Sequence, residues 1–299
     1  MLLERWDAAD TDVENTIQFL NQSFGGGWDR AHFDWYLARP FDDCTPDRLR
    51  ISDGDTPAAG SVVNYRKIRL ADDTVHRIGI ASGSWTLPDF RGRGLFTRMM
   101  QASVERAGSK NCSYFLAFVT EDNASCNALA RLGAEMIPAT YLLSNETCAG
   151  VAADYTDEVA PVSITPEELF ASQNAFNGTA FYYPTADIWA EQFLARPNPV
   201  EILRVSDANY AIVEKTADTD RLQWTSAPAA GRLALGEMLA ERAAATKRKF
   251  FMYGTGSLVD IPCSTATLPA KPGFIACLPT GTSARNVDPQ WDVQSGDRM

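Results

Sequence analysis

Apolar positions along the chain fall into short runs whose spacing alternates between the helical and the extended period. Thr11-Asp12-Val13-Glu14 has the capping-box pattern and predicts a helix that ends at Gly25-Gly26-Gly27. A second short helix is expected over about 29–37, stopped by Pro40. Extended segments follow at 49–52, 61–70 and 74–86, closed by Asp53-Gly54, by Ala71-Asp72-Asp73 and by Pro88. From Gly94 onward Leu95, Met99, Val104 and Ala107 recur at helical spacing. A short apolar strand is expected at 114–119, then a helix over 123–132 closed by Gly133, then an extended 136–143. The series then begins again. Thr165-Pro166-Glu167-Glu168 opens a helix with an N-cap, a first-turn proline and a capping box. A helix over 186–194, extended 201–205, 209–215 and 222–225, a helix over 232–246 and a strand at 250–253 complete it.

The two series share residues as well as order. Tyr36-Leu37-Ala38-Arg39-Pro40 returns as Phe193-Leu194-Ala195-Arg196-Pro197, and Leu49-Arg50-Ile51-Ser52-Asp53 returns as Leu203-Arg204-Val205-Ser206-Asp207. A duplicated domain follows, one copy in residues 1–150 and one in 151–299, with the boundary inside 148–163. The length of 299 residues accommodates this at about 150 residues per domain.

Composition narrows the function. An apolar content of 45% is enough for a core. The net charge of −11 argues against a non-specific nucleic-acid binder and against a polybasic membrane anchor. No apolar window of about 18 residues exists, and the MLLERWDAAD start lacks an apolar leader core, so a cytoplasmic protein is expected. The six cysteines make no CxxC pair, and only His32 and His76 are present, so no metal site is expected.

Against this acidic background stands a local basic loop, Leu87-Pro88-Asp89-Phe90-Arg91-Gly92-Arg93-Gly94-Leu95-Phe96-Thr97-Arg98. Glycines let a ligand approach the backbone, and the first N–H groups of a helix point outward with the dipole behind them. The loop is therefore expected to take a phosphate-bearing ligand. It lacks the GK[ST] ending of a Walker loop.

The segment resembles the GNAT N-acetyltransferase superfamily, whose signature [Q/R]-x-x-G-x-[G/A] follows a long strand and opens a helix. Arg91 and Gly94 match it, and Phe96 stands in place of the small last residue. The order of elements over about 10–145 also matches. The resemblance implies an α/β fold with a mixed, mainly antiparallel twisted sheet flanked by helices, used twice. It implies that acetyl-CoA or another acyl-CoA is held by Trp85, Thr86, Leu87, Arg91, Gly92, Arg93, Gly94, Leu95, Phe96, Thr97, Asn123 and Ser125, with amides from about Arg91 to Phe96 on the pyrophosphate. It further implies a bulge in the preceding strand, which Ser82-Gly83-Ser84 can supply, and free strand amides near Leu87 for the pantetheine arm.

Acyl transfer needs a base for the amine and a proton for the thiolate. The tyrosine that the family often uses as acid falls here on Leu129. Ser125, Cys126 or Tyr141 can replace it, or the thiolate leaves unassisted. Glu121 is the candidate base. Trp28, Trp35, Ser84 and Trp85 are candidates for contact with the acceptor, a small-molecule amine whose positive charge suits the acidic chain. The corresponding loop of the second half, Thr225-Ser226-Ala227-Pro228-Ala229-Ala230-Gly231-Arg232, lacks the motif, so that half is expected to bind no cofactor and to wall the acceptor pocket. The alternative is a non-catalytic CoA-binding regulatory module.

Overall fold

The computed structural model describes residues 1–6, 10–144, 159–173, 178–207, 209–256, 269–281 and 290–298. Strand β1 (Leu2–Arg5) precedes helix α1 (Asp10–Phe24), so Thr11 lies inside the helix rather than capping it. Helix α2 (Arg30–Phe33) is capped by the Asp29 side chain and runs on as a π-turn over Asp34–Ala38. Strands β2 (Asp47–Asp53), β3 (Thr56–Arg69) and β4 (Val75–Thr86) form a meander. Helix α3 (Leu95–Ser109), β5 (Tyr114–Thr120), α4 (Ala124–Arg131) and β6 (Glu135–Leu143) close the first series. The second contains β7 (Ala160–Pro161), α5 (Pro166–Ala171), β8 (Thr179–Phe181), α6 (Ala186–Phe193), β9 (Val200–Arg204), β10 (Tyr210–Lys215) and β11 (Thr219–Thr225). It continues with α7 (Arg232–Ala245), β12 (Lys249–Gly254), β13 (Ala270–Pro279) and β14 (Trp291–Asp292). The capping box expected at Thr165 and Glu168 is formed.

One sheet runs through both halves in the order β1-β2-β3-β4-β5-β13-β6-β12-β11-β10-β9-β7. The pairs β4–β5 and β11–β12 are parallel, and the others along this path are antiparallel. This is the mixed, mainly antiparallel sheet with flanking helices that the sequence predicts. Its centre is an exchange: β13 lies between β5 and β6, while β6 lies between β13 and β12. A cut near residue 150 divides the chain but not the sheet. Strand β13 is absent from the sequence reading because Pro272, Gly273 and Pro279 punctuate it, and such residues normally argue against a central strand.

Alternation along the strands assigns the two faces. Val63 packs with Leu95, Met99 and Met100 of α3, whereas its neighbour Val62 packs with Leu20 of α1 and Phe33 and Leu37 from the α2 segment. Helix α7 covers the second half through Leu235 and Leu239. On the other face, α5 and α6 enclose Trp189, Phe193 and Trp224.

The repeated Leu-Ala-Arg-Pro segments meet at this junction. The guanidinium of Arg39 lies 4.5 Å and that of Arg196 4.4 Å from the Trp35 ring centroid. Arg39 donates to Gln192 Oε1 at 2.7 Å and Arg196 to the Tyr36 hydroxyl at 3.2 Å, so each arginine reaches across to the other half. Arg196 is also paired with fully buried Glu214 at 3.1 Å. A buried charge is tolerated only with such a partner.

Candidate active site

Two parallel strands that stop pairing part-way create the central cleft. Strand β4 pairs with β5 only at Ile78–Tyr114, Gly79–Phe115 and Ile80–Leu116. Beyond that, β4 continues to Thr86 and β5 to Thr120 without partners to each other. A bulge accompanies the divergence: Val62 pairs with Ser82 but Gly60 with Trp85, so β4 carries one extra residue. Gly83 sits there at φ 53°, in the left-handed region that a side chain disfavours. A Cβ on it would also come within 2.9 Å of buried Leu37. The expected bulge at 82–84 is thus present, and only glycine fits.

The amide expected near Leu87 is not free. The Leu87 N–H donates to Ala58 O at 3.0 Å, because the ladder with β3 extends that far. Alternation turns the Thr86 amide to the opposite side, toward the cleft, and Thr86 O already accepts from Arg91 Nε at 3.3 Å.

The cleft leads to the start of α3. Pro88–Phe90 forms a single 3-10 turn, and Gly92 and Gly94 follow at φ 76° and 73°. Among the described residues nothing lies within 4 Å of the Cβ position of either glycine, so their role is backbone conformation and open access rather than packing. The Arg91 N–H is spent on Pro88 O at 3.2 Å, which removes it from the expected set of phosphate donors. The first N–H groups of α3, at Leu95, Phe96 and Thr97, have no acceptor inside the helix. Arg91, Arg93 and Arg98 are exposed around this terminus, and Arg93 is steadied by Asp89 O and the Phe90 ring. Leu95 points inward and is buried.

Helix α4 borders the other wall. Asn123 caps it, accepting from the Ser125 N–H at 3.0 Å and the Ser125 hydroxyl at 2.8 Å. A surface hollow of ≈ 610 Å³ lies against its exposed face, lined by Ala124, Asn127, Ala130 and Arg131. Asn127 and Arg131 escape the sequence reading, and their spacing of four, which puts both on one face of α4, is the signal that could have found them. Leu129 is fully buried against α3, so that position offers no acid.

The chemical candidates separate by environment. Glu121 is exposed just past β5, its N–H bonded to Pro272 O at 3.0 Å. Asp122 beside it is held below the usual carboxylate range by Lys271 and then Thr120. Cys126 is buried, and burial followed by the Glu121 charge pushes its thiol up, away from a nucleophilic thiolate. Tyr141 is buried on β6, and desolvation raises its hydroxyl pKa against the opposing pull of Arg298 and Lys271. His76 bonds Ser113 and Thr74 at the beginning of β4, ten residues or roughly 33 Å of strand from Thr86, which removes it from the cleft.

The four acceptor candidates come together only partly. Trp28, Trp35 and Trp85 join one cluster beneath α1 and α2, with Trp35 and Trp85 buried and Trp28 partly exposed. Ser84 exchanges a hydrogen bond with Ser61 at 2.7 Å.

In the second half a parallel strand pair also parts, and the gap is filled. Strands β11 and β12 pair in parallel only from Thr219–Lys249 to Arg221–Phe251. Into the gap beyond comes the segment after β14. The Gln294 side chain accepts from Thr225 N at 2.7 Å and donates to Thr225 O at 3.1 Å, while Gln294 bridges to Gly254 of β12. Arg232, opening α7, is paired with Asp292. The chain's own tail thus satisfies the strand edge and the cation at the helix start.

Comparison with known proteins agrees with the first half. Residues 18–134 match the family model described as acetyltransferase (GNAT) family. No curated protein matches the sequence. Among solved structures, a conserved protein of unknown function from Enterococcus faecalis, called a probable N-acyltransferase, is similar at TM-score 0.59 and 10% identity, over 94% of this chain and 73% of that one. A GCN5-related N-acetyltransferase from Anabaena variabilis is similar at TM-score 0.59 and 11% identity, over 95% and 74%. One from Kribbella flavida is similar at 0.53 and 12%, over 92% and 70%. At such identities the likeness concerns the fold.

Proposed function

From the match of residues 18–134 to the acetyltransferase (GNAT) family model we propose that the protein is an acyl-CoA-dependent N-acyltransferase for a small-molecule amine. The observation that carries this reading is the cleft between β4 and β5, which opens onto a helix start ringed by arginines and preceded by two left-handed glycines. Acetyl-CoA is the proposed donor. Its pyrophosphate meets the N–H groups of residues 92–97 with Arg91, Arg93 and Arg98 nearby, and its arm follows the Thr86 edge toward Asn123 and Ser125. A tandem of residues 1–150 and 151–299 belongs to the same reading. The second half's cleft is closed by the tail, which leaves the cofactor to the first. A cytoplasmic setting completes it.

The amine attacks the thioester carbon directly. The new C–N bond forms as the carbonyl oxygen takes up negative charge, which the Thr86 N–H stabilises from the strand edge. The C–S bond then breaks and the amine proton passes to Glu121, directly or through water. The thiolate leaves with little proton assistance, since a thiol pKa near 8.5 makes it a tolerable leaving group. Ser125 and Tyr141 are the remaining donors. With its raised pKa, Tyr141 serves as a hydrogen-bond donor rather than as a strong acid.

Thiol release from acetyl-CoA across a panel of amines tests the proposal. Turnover that favours cationic acceptors and falls with salt supports it, and turnover indifferent to both removes the charge argument. Buried Leu129 favours a second reading, a CoA-binding regulator, and binding of CoA without turnover of any amine would select it.

A further inference from the structure

Four aromatic rings from three strands converge on one guanidinium. Arg298 lies 4.7 Å from the centroid of Tyr253, 4.8 Å from Tyr141, 5.7 Å from Phe251 and 5.9 Å from Phe118. Phe118 comes from β5, Tyr141 from β6, and Phe251 and Tyr253 from β12, so both halves build the cage. Tyr141 can lie over β13 only because residue 273 is glycine: a Cβ there would come within 2.4 Å of the ring.

Arg298 is held by these ring faces. Its Nε is buried and has no hydrogen-bond partner among the described residues. Asp297 turns elsewhere, accepting from the Tyr183 hydroxyl at 2.7 Å and the Gln294 N–H at 2.8 Å. The Tyr253 hydroxyl is likewise buried with no partner among the described residues. The cage also borders the cleft. Phe118 stands two residues past the last β4–β5 pair, level with Ser82 at the edge of the bulge. The tail that carries Arg298 reaches this point through the second half's filled cleft.

We propose that the Phe118, Tyr141, Phe251 and Tyr253 cage is an organic-cation subsite for the acceptor, and that Arg298 fills it in the absence of acceptor. The proposal rests on the acyltransferase reading for its word acceptor. The reacting amine must be neutral to attack, so the cation in the cage is a second basic group, a guanidinium or an alkylated ammonium, on the same molecule. Ring faces bind such groups through their quadrupole and discriminate sharply against a neutral isostere.

The test is calorimetric titration, without CoA, of ethylguanidinium, tetramethylammonium and neutral ethylurea into the full chain and into Arg298→Ala. Both cations should bind Arg298→Ala at least about fivefold tighter than the parent, because the internal competitor is gone, and ethylurea should gain nothing. Phe251→Leu added to Arg298→Ala should lose that gain; if its melting shows misfolding, Phe118→Leu takes its place. Equal binding of ethylurea and the cations, or no gain on Arg298→Ala, overturns the proposal. Thiol release is measured separately. Cation binding with no acyl transfer to any amine would sink the acyltransferase reading and leave the subsite standing.

Discussion

Gly94→Glu separates the proposed anion-binding role of the loop from its folding role. Gly94 is the N-cap of α3 at φ 73°, with nothing within 4 Å of its Cβ position. A side chain there clashes with nothing, and the penalty is the left-handed backbone, about 1–2 kcal/mol. That is a few degrees of melting temperature for a chain of this size. The effect on a pyrophosphate is larger. A carboxylate about 5 Å from two phosphate charges costs about 1.7 kcal/mol even at the dielectric of water, and about four times that at an effective value of 20. CoA should therefore bind at least about 15-fold more weakly. Gly133→Glu is the control, since Gly133 has φ 85° and equally open space but closes the far end of α4. It should lose similar stability and keep CoA affinity. Calorimetric titration with CoA and thermal melting of both variants decide the matter. CoA binding to Gly94→Glu within about twofold of the parent would refute the placement of the phosphate.

The junction between the halves should be intolerant of charge imbalance. Glu214→Ala strands the buried Arg196 guanidinium and should cost about 3–5 kcal/mol in denaturant unfolding, and a loss under about 1 kcal/mol would contradict that assignment. Asp297 is pushed up to about 7, chiefly by burial, against an ordinary value of 3.8. The folded state thus holds a proton that the unfolded state has lost between pH 4 and 7. Relative to Asp297→Asn, the protein should lose stability as pH rises through that window and stay level above it; a difference that does not vary with pH would refute the protonated carboxyl. Cys126→Ala should leave kcat/KM within about twofold, because a buried thiol with a raised pKa forms no acyl-enzyme, and a large loss would reopen the covalent route.

Local punctuation made much of the fold legible. Asp53-Gly54, Pro88 and Gly133 mark real boundaries, and the arginines of the two Leu-Ala-Arg-Pro segments meet on Trp35. The bulge at Gly83 was readable because a glycine inside a strand has few other uses. What stayed hidden was non-local. Strand β13 takes a central place that its prolines argue against, since its ladder partners lie more than 120 residues earlier in the chain. The spent amides of Leu87 and Arg91 depend on how far the β3 ladder and the Pro88 turn extend. Trp35 and Trp85 are candidate acceptor contacts from the sequence, yet both are packed between elements that no sequence window contains together. The cage around Arg298 joins three strands and the chain's last turn, beyond the reach of any spacing rule.

On the proposed reading the β4–β5 cleft presents an acyl-CoA thioester to an amine. The most direct test is release of free CoA from acetyl-CoA by the full chain, with and without an amine panel, and with the acylated amine identified by mass. One acylated amine should appear for each CoA released, with turnover lost in Gly94→Glu and retained in Gly133→Glu. CoA bound at the loop with no amine acylated, or turnover untouched by Gly94→Glu, would contradict that reading.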